Sequence, residues 1–327
     1  MTEWVIPTLD DVHAAQERIA PHLPRTPMYH YPALDELTRA ETWVKHENHL
    51  PSGAFKIRGG INLMSKMSPE ERRTPVIAAS TGNHGQSIAY AAQLFGLKAI
   101  ICVPEDANAV KLAAMERSGA EIVMHGVDFD DAREHCEKLA EANGYRYIHS
   151  GDEPDLIAGV GTYTVEILDE VPDIEVIIVP IGGGSGAAGT AIVAKATRPE
   201  IRVIGVQSAA APAAWRSWKG RELVEDKMGT AAEGLATRTA FELPQRILWD
   251  LLDDFVLVEE EQLQAADFHM IERTRNLVEL AGAAPLAAAM STEVKPQIAG
   301  KKIALICSGA NITPQQLRSV LERNAGQ

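Results

Sequence analysis

TPVIAASTGNHGQSIAYAAQLFGLKAIICVP, residues 74–104, decides the fold class. A β-branched run (TPVIAAS, 74–80) passes through a small polar loop into a helix-length stretch (HGQSIAYAAQLFG, 84–96), and a second apolar run (KAIICVP, 98–104) follows. Two such runs joined by a helix make a βαβ unit and a parallel strand pair. Neither run alternates apolar with polar residues, so both sheet faces are covered.

The pattern continues outward. Further strand-like runs are AEIVMH (120–125), EVIIVP (175–180), RVIGVQ (202–207) and KIALICS (302–308), with TWVKHE (42–47) ahead of them. Helical candidates between them include DDAREHCEKLAEANG (130–144) and EQLQAADFHMIERTRNLVEL (261–280). The expected class is α/β, with open, mostly parallel twisted sheets carrying helices on both faces. Strand–helix units are tightest from 74 to 150, which predicts a small domain (53–147) inserted into a large one (1–52 and 148–327).

Composition narrows the class. The 327 residues are 46% hydrophobic and 23% charged, a globular profile. A formal charge of −14 argues against nucleic acid held by broad electrostatic attraction. The first residues show no signal-peptide pattern, and LAGAAPLAAAM (280–290) is too short to span a bilayer. Cys102, Cys136 and Cys307 lie far apart, which suits a reducing compartment and predicts the cytoplasm.

Ligands in such sheets sit beyond the carboxyl ends of the strands, so the loops there are the places to search. PSGAFKIRGG (51–60) places Lys56 between Phe55 and Ile57 in a weakly charged stretch. A desolvated lysine loses proton affinity and becomes a nucleophile for an aldehyde, although a lone lysine is more often a surface cation. STGNHG (80–85) opens a helix, where free N–H groups with Ser80, Thr81 and Asn83 suit a carboxylate; helix capping explains the same residues equally well. IGGGSGAAG (181–189) follows the most apolar strand, and Gly182, Gly183, Gly184, Ser185 and Gly186 let the backbone approach a phosphate. GxGxxG is present there, but RVIGVQS ends in Gln207 and Ser208 where dinucleotide binding needs an acidic residue. A phosphate monoester is the better ligand. His46 and His49 are one residue short of the HExxH zinc spacing.

Taken together the three loops resemble fold type II pyridoxal-phosphate enzymes, tryptophan synthase β-like, and among them the serine/threonine dehydratase and serine racemase group. SGAFKIRGG is similar to the group's Schiff-base segment, STGNHGQSIAYAA to its substrate-carboxylate loop and GGGSG to its phosphate cup; EPDLIAGVGTYTVEIL (153–168), EGLATR (233–238), VELAGAA (278–284) and CSGAN (307–311) match in order. The resemblance implies pyridoxal 5'-phosphate on Lys56, packed by Phe55, with Asn83 at its phenolic oxygen and Ser308 at its pyridine nitrogen. It implies that Ser80, Thr81, Asn83 and His84 bind a small amino-acid substrate.

Three departures qualify this. The group's carboxylate loop usually reads SSGNHG; Thr81 replaces the serine that serves racemases on the opposite face. The carboxylates of the divalent-metal site carried by racemase-like members read here as Gln207 and, in a gapless alignment, Ala213, so no metal is expected. With the sequence read to Gln327, the regulatory domain of biosynthetic threonine deaminases is not expected. The implied activity is elimination of the β-hydroxyl of a small β-hydroxy amino acid, threonine or serine in type, to a 2-oxo acid and ammonia. The alternatives are a racemase or a β-replacement enzyme of the same fold, and, from another class, a silent ligand-binding protein. Homodimerisation follows from the resemblance alone.

Overall fold

The computed structural model describes residues 4–324. Its strands in chain order are β1 (Met28–His30), β2 (Glu41–His46), β3 (Val76–Ala79), β4 (Ala99–Val103), β5 (Glu121–Met124), β6 (Arg146–Tyr147), β7 (Val176–Pro180), β8 (Arg202–Ser208), β9 (Asp254–Val258) and β10 (Lys302–Cys307). One sheet runs β1-β2-β10-β7-β8-β9 and the other β5-β4-β3-β6. Only β1 and β2 pair antiparallel; the other pairings are parallel. The smaller sheet comes wholly from residues 76–147 and the larger from segments on either side of it.

The apolar runs quoted above all lie in strands. Three strands, β1, β6 and β9, were not foreseen. The 261–280 stretch is also not one helix. It ends at Thr274, Arg275 turns left-handed with φ 61°, and a second helix, Leu280–Met290, begins after Glu279. Asn276 Nδ2 donates to the Thr274 carbonyl at 2.7 Å, which satisfies an end that periodicity alone would have continued. The Leu280–Met290 helix is apolar on nearly every face and buried in the core of the larger sheet, as such a helix must be.

The helix Lys56–Ser65 lies between the two halves. It packs against Asn83–Phe95 on one side and Pro154–Glu170 on the other. Gly59 and Gly60 make this possible: a Cβ on Gly59 would lie 2.9 Å from the Leu156 carbonyl, and one on Gly60 2.5 Å from Ser87 Oγ. Beneath this helix sits a buried ion cluster. Arg58 donates to Glu47 Oε2 at 2.7 Å and to Glu166 Oε1 at 2.7 Å, and Lys45 donates to Glu166 Oε2 at 2.6 Å. Two cations face two anions. Desolvation opposes every charge there, yet Glu47 and Glu166 raise the Arg58 pKa above its ordinary value, and Arg58 and Lys45 lower that of Glu166.

Asp267, on the helix Glu260–Thr274, is buried with neither carboxylate oxygen bonded to any described residue. Desolvation, followed by the charge of Glu279, pushes its pKa up to about 8. Unfolded, an Asp titrates near ~4. Between those values the native state holds a proton that the unfolded state releases, so stability falls as pH rises through the window. Asp267→Asn should therefore gain on wild type by a few kcal/mol, on the order of a pKa shift this size, at pH 8. The gain should shrink at pH 5. Urea unfolding at both values checks this, and a gap independent of pH would count against it.

Candidate active site

The loops after β3, β6, β7 and β10 line one cavity of about 620 Å³. Lys56, the first residue of its helix, extends into it. Its Nζ donates to Ser185 Oγ at 2.8 Å and to the Ser150 carbonyl at 2.9 Å. No carboxylate pairs with it among the described residues. Loss of hydration pushes its pKa down to about 8, so a usable fraction of the amine is unprotonated near neutral pH. The neighbouring Phe55 presents its ring 5.4 Å from Nζ, and its N–H donates to the Ser308 carbonyl at 3.0 Å.

The glycine loop after β7 forms a cradle. Among the described residues no acceptor takes the N–H groups of Gly182, Gly183, Gly184, Ser185 or Gly186. They open the 13-residue helix Ser185–Thr197, whose dipole adds to them. Gly184 has φ 90°, and a Cβ on Gly183 would run into the Phe241 ring. The backbone itself is the anion-binding surface, suited to a phosphate monoester.

The loop after β3 divides its tasks. Ser80 Oγ accepts the N–H groups of Gly82 (3.2 Å) and Gly85 (2.9 Å), so the capping reading holds for this residue. The N–H groups of Thr81, Asn83 and His84 have no protein acceptor among the described residues and face the cavity lining. His84 Nε2 donates to the Ile148 carbonyl at 3.2 Å, and burial pushes its pKa down to about 3, which keeps it neutral. Asn83 is clamped: its Nδ2 donates to Glu279 Oε1 (2.8 Å) and its Oδ1 accepts from Asn311 Nδ2 (2.7 Å). Asn311 N–H also reaches Glu279 Oε2 (3.1 Å). One Nδ2 hydrogen of Asn83 therefore remains for a ligand. Ser308, at the end of β10, lines the cavity with its hydroxyl unpartnered among the described residues.

Every residue expected from the sequence to hold cofactor or substrate thus borders this cavity. Four functional groups were not foreseen: Glu279, Asn311, the Ser150 carbonyl and His149. Nδ1 of His149 accepts the N–H groups of Gly151 (3.3 Å) and Asp152 (2.8 Å), which leaves the proton on Nε2. Its turn follows β6, so the search beyond strand ends would have found it had that two-residue strand been visible. His46 and His49 stand apart from this cavity, stacked on each other at 4.9 Å, with His46 Nε2 2.9 Å from Tyr31 Oη.

A lysine beside a cradle of backbone N–H groups, facing a second set of free N–H groups, is what an aldehyde-bearing phosphate ester requires. The chain belongs to the pyridoxal-phosphate dependent enzyme family, whose sequence model matches residues 19–309. Within it, the chain is 36% identical to the L-threonine ammonia-lyase of Thermotoga maritima, over 97% of this chain and 78% of that one. It is 38% identical to the L-threonine ammonia-lyase of Geobacter sulfurreducens, over 95% and 77%. Maize serine racemase superposes with a TM-score of 0.92 at 31% identity, covering 98% of both chains. The fold type II architecture expected from the sequence is therefore the observed one.

Proposed function

We propose that the chain is an ammonia-lyase that removes the β-hydroxyl of a threonine- or serine-type amino acid to give a 2-oxo acid and ammonia. The observation that carries this is Lys56 Nζ, an amine with pKa about 8, held between the glycine cradle and the free N–H groups of Thr81, Asn83 and His84. The similarity to two threonine ammonia-lyases supports the choice of reaction. When bound, pyridoxal phosphate supplies the sink for the electron pair left at Cα.

The chain's own residues do the rest. Gly182–Gly186 would hold the phosphate through backbone N–H groups, and Lys56 would anchor the cofactor beside Phe55. Asn83 would offer its remaining amide hydrogen to the cofactor's phenolic oxygen, and the Ser308 hydroxyl would serve the ring nitrogen. A hydroxyl, unlike a carboxylate, does not hold a proton on that nitrogen, which favours prompt elimination over racemisation. The loop of Ser80, Thr81, Asn83 and His84 fixes the substrate carboxylate. The freed Lys56 amine takes the Cα proton. Residues 53–147 act as a small domain against 1–52 and 148–327, a reading supported by the confinement of one sheet to 76–147. We read the enzyme as a cytoplasmic homodimer; three buried, unbridged cysteines suit a reducing compartment, and among the described residues no helix is long and apolar enough to cross a membrane. Oxo-acid release from a panel of β-hydroxy amino acids tests the assignment, and release from none of them would sink it.

Racemisation is the second reading, favoured by the likeness to maize serine racemase and by the hydroxyl that Thr81 retains. Two features weigh against it. The β-branch of Thr81 restricts χ1. At the family's metal position, Gln207 Oε1 instead accepts the Trp215 N–H at 3.0 Å in the helix Ala213–Gly220, where Ala213 brings no ligand atom from its side chain. We expect oxo-acid release to survive chelation and to exceed D-isomer formation by about tenfold or more, since one acid/base group is worth at least ~10² in rate. Loss of activity on chelation with return on adding magnesium would overturn the first expectation, and comparable rates of the two products the second.

A further inference from the structure

Besides Phe55, four half-buried rings share the surface of the cavity: Phe129, Tyr147, His149 and Phe241. His149 meets Phe241 edge-on at 4.6 Å and 72°, and Tyr147 meets His149 at 6.3 Å and 68°. Phe129 and Tyr147 pack against one cluster around Cys136 and Ala140, which fixes them from behind. The rings therefore form an arc from the smaller sheet to the helix Glu242–Leu251. The loop between Gly220 and Glu242 brings Leu223 and Met228 to the same cavity, 44% and 37% exposed. Apolar side chains left open on two sides of a ligand cavity call for an apolar group between them.

The charges along this lining are largely matched. Asp130 pairs with Arg238 at 2.9 Å and Arg133 at 3.4 Å, Lys111 pairs with Glu233, and Asp152 accepts the Leu243 N–H at 2.9 Å. A hydrogen or methyl on the substrate's β-carbon covers little of the ring arc. An aryl group would meet it edge-to-face, the arrangement aromatic pairs prefer.

We propose that the site also eliminates water from β-hydroxy amino acids whose β-carbon carries an aryl-sized apolar group. This rests on the ammonia-lyase reading above. The bonds are the same ones. The Cα proton goes to the Lys56 amine, the Cβ–O bond breaks with its electron pair on oxygen, and the oxygen leaves as water after gaining a proton. Hydrolysis of the resulting enamine consumes one water and releases ammonia, so 3-phenylserine gives phenylpyruvate and ammonia with no oxidant.

The test compares kcat/KM of the holoenzyme for threonine, serine, 3-phenylserine and 3-hydroxyaspartate by oxo-acid release. We expect 3-phenylserine within about tenfold of threonine, and Phe241→Ala and Leu223→Ser each to lower the phenylserine-to-threonine ratio about tenfold, the scale of discrimination a few methylenes give. The ratio is insensitive to partial loss of cofactor, which matters because Phe241 packs on Gly183. A 3-phenylserine value below about a hundredth of that for threonine overturns the proposal, as does a preference for 3-hydroxyaspartate, which would assign the lining to Arg133 and Arg238 instead. Should no β-hydroxy amino acid react, the ammonia-lyase reading fails. Calorimetry with L-phenylalanine and L-alanine, which lack the leaving group, then decides the pocket alone. About tenfold tighter binding of L-phenylalanine supports it, and equal binding overturns it.

Discussion

Lys56→Ala is expected to give a folded, colourless protein whose oxo-acid release falls by on the order of 10³ or more. One amine has two tasks here, anchoring the cofactor and moving the Cα proton, so its removal loses both together. The variant should nevertheless fold, because Lys56 makes two hydrogen bonds and no described ion pair. It replaces the first residue of a helix whose stability comes from packing further along. Lys56→Arg should fail as well, since a guanidinium stays protonated and is no nucleophile at neutral pH. Absorbance of the lysine-bound cofactor, far-ultraviolet circular dichroism and turnover separate the cases. A variant that remains yellow with near wild-type turnover would show that another amine does the work.

The sequence was most informative where one local signal served one structural purpose. VIAA, AIICV and VIIVP are apolar on both faces, so they could be read as covered parallel strands without knowing their neighbours. IGGGSG could be read because a phosphate cradle is a local backbone device. Legibility failed where the cause was tertiary. β6 has two residues and is a strand only because Val76 and Ile77 of β3 pair with it. The break at Arg275 carries neither Gly nor Pro, and left-handed arginine is not a signal that periodicity can show. Glu279 and Asn311 sit in motifs that were recognised, VELAGAA and CSGAN, yet their joint hold on Asn83 spans 228 positions in sequence and exists only in the fold. The same limit applied to STGNHG, where capping and anion binding looked like rivals. The structure gives capping to the Ser80 side chain and leaves the backbone N–H groups of Thr81, Asn83 and His84 open, so the two readings call on different groups of one loop.

Arg58 lies two residues beyond Lys56 and was invisible as a determinant, being one more charge in SGAFKIRGG. The fold buries it completely and surrounds it with Glu47, Glu166, Thr26 and Thr162. Arg58→Ala would leave Glu47 with only the Thr26 hydroxyl, at 2.6 Å, as a close partner among the described residues, and Glu166 with Lys45 and the Thr26 N–H. Breaking a buried pair from one side strands a charge and costs about 3–5 kcal/mol, a large part of the stability of an ordinary domain. The loss should exceed that of removing a surface pair such as Arg318–Glu322, where both side chains are largely exposed. The control is a variant that removes the charges together, Arg58→Met with Glu47→Gln. It should recover part of the loss, because a neutral replacement of matched volume avoids the desolvation that the lone carboxylate suffers. Denaturant unfolding of the three proteins at one pH gives the comparison. The active site supplies a second readout: if the cluster seats the helix that begins at Lys56, Arg58→Ala should weaken cofactor retention at denaturant concentrations where the fold persists. An Arg58→Ala protein as stable as wild type, or a double variant less stable than the single one, would mean that the four charges hold nothing that packing does not.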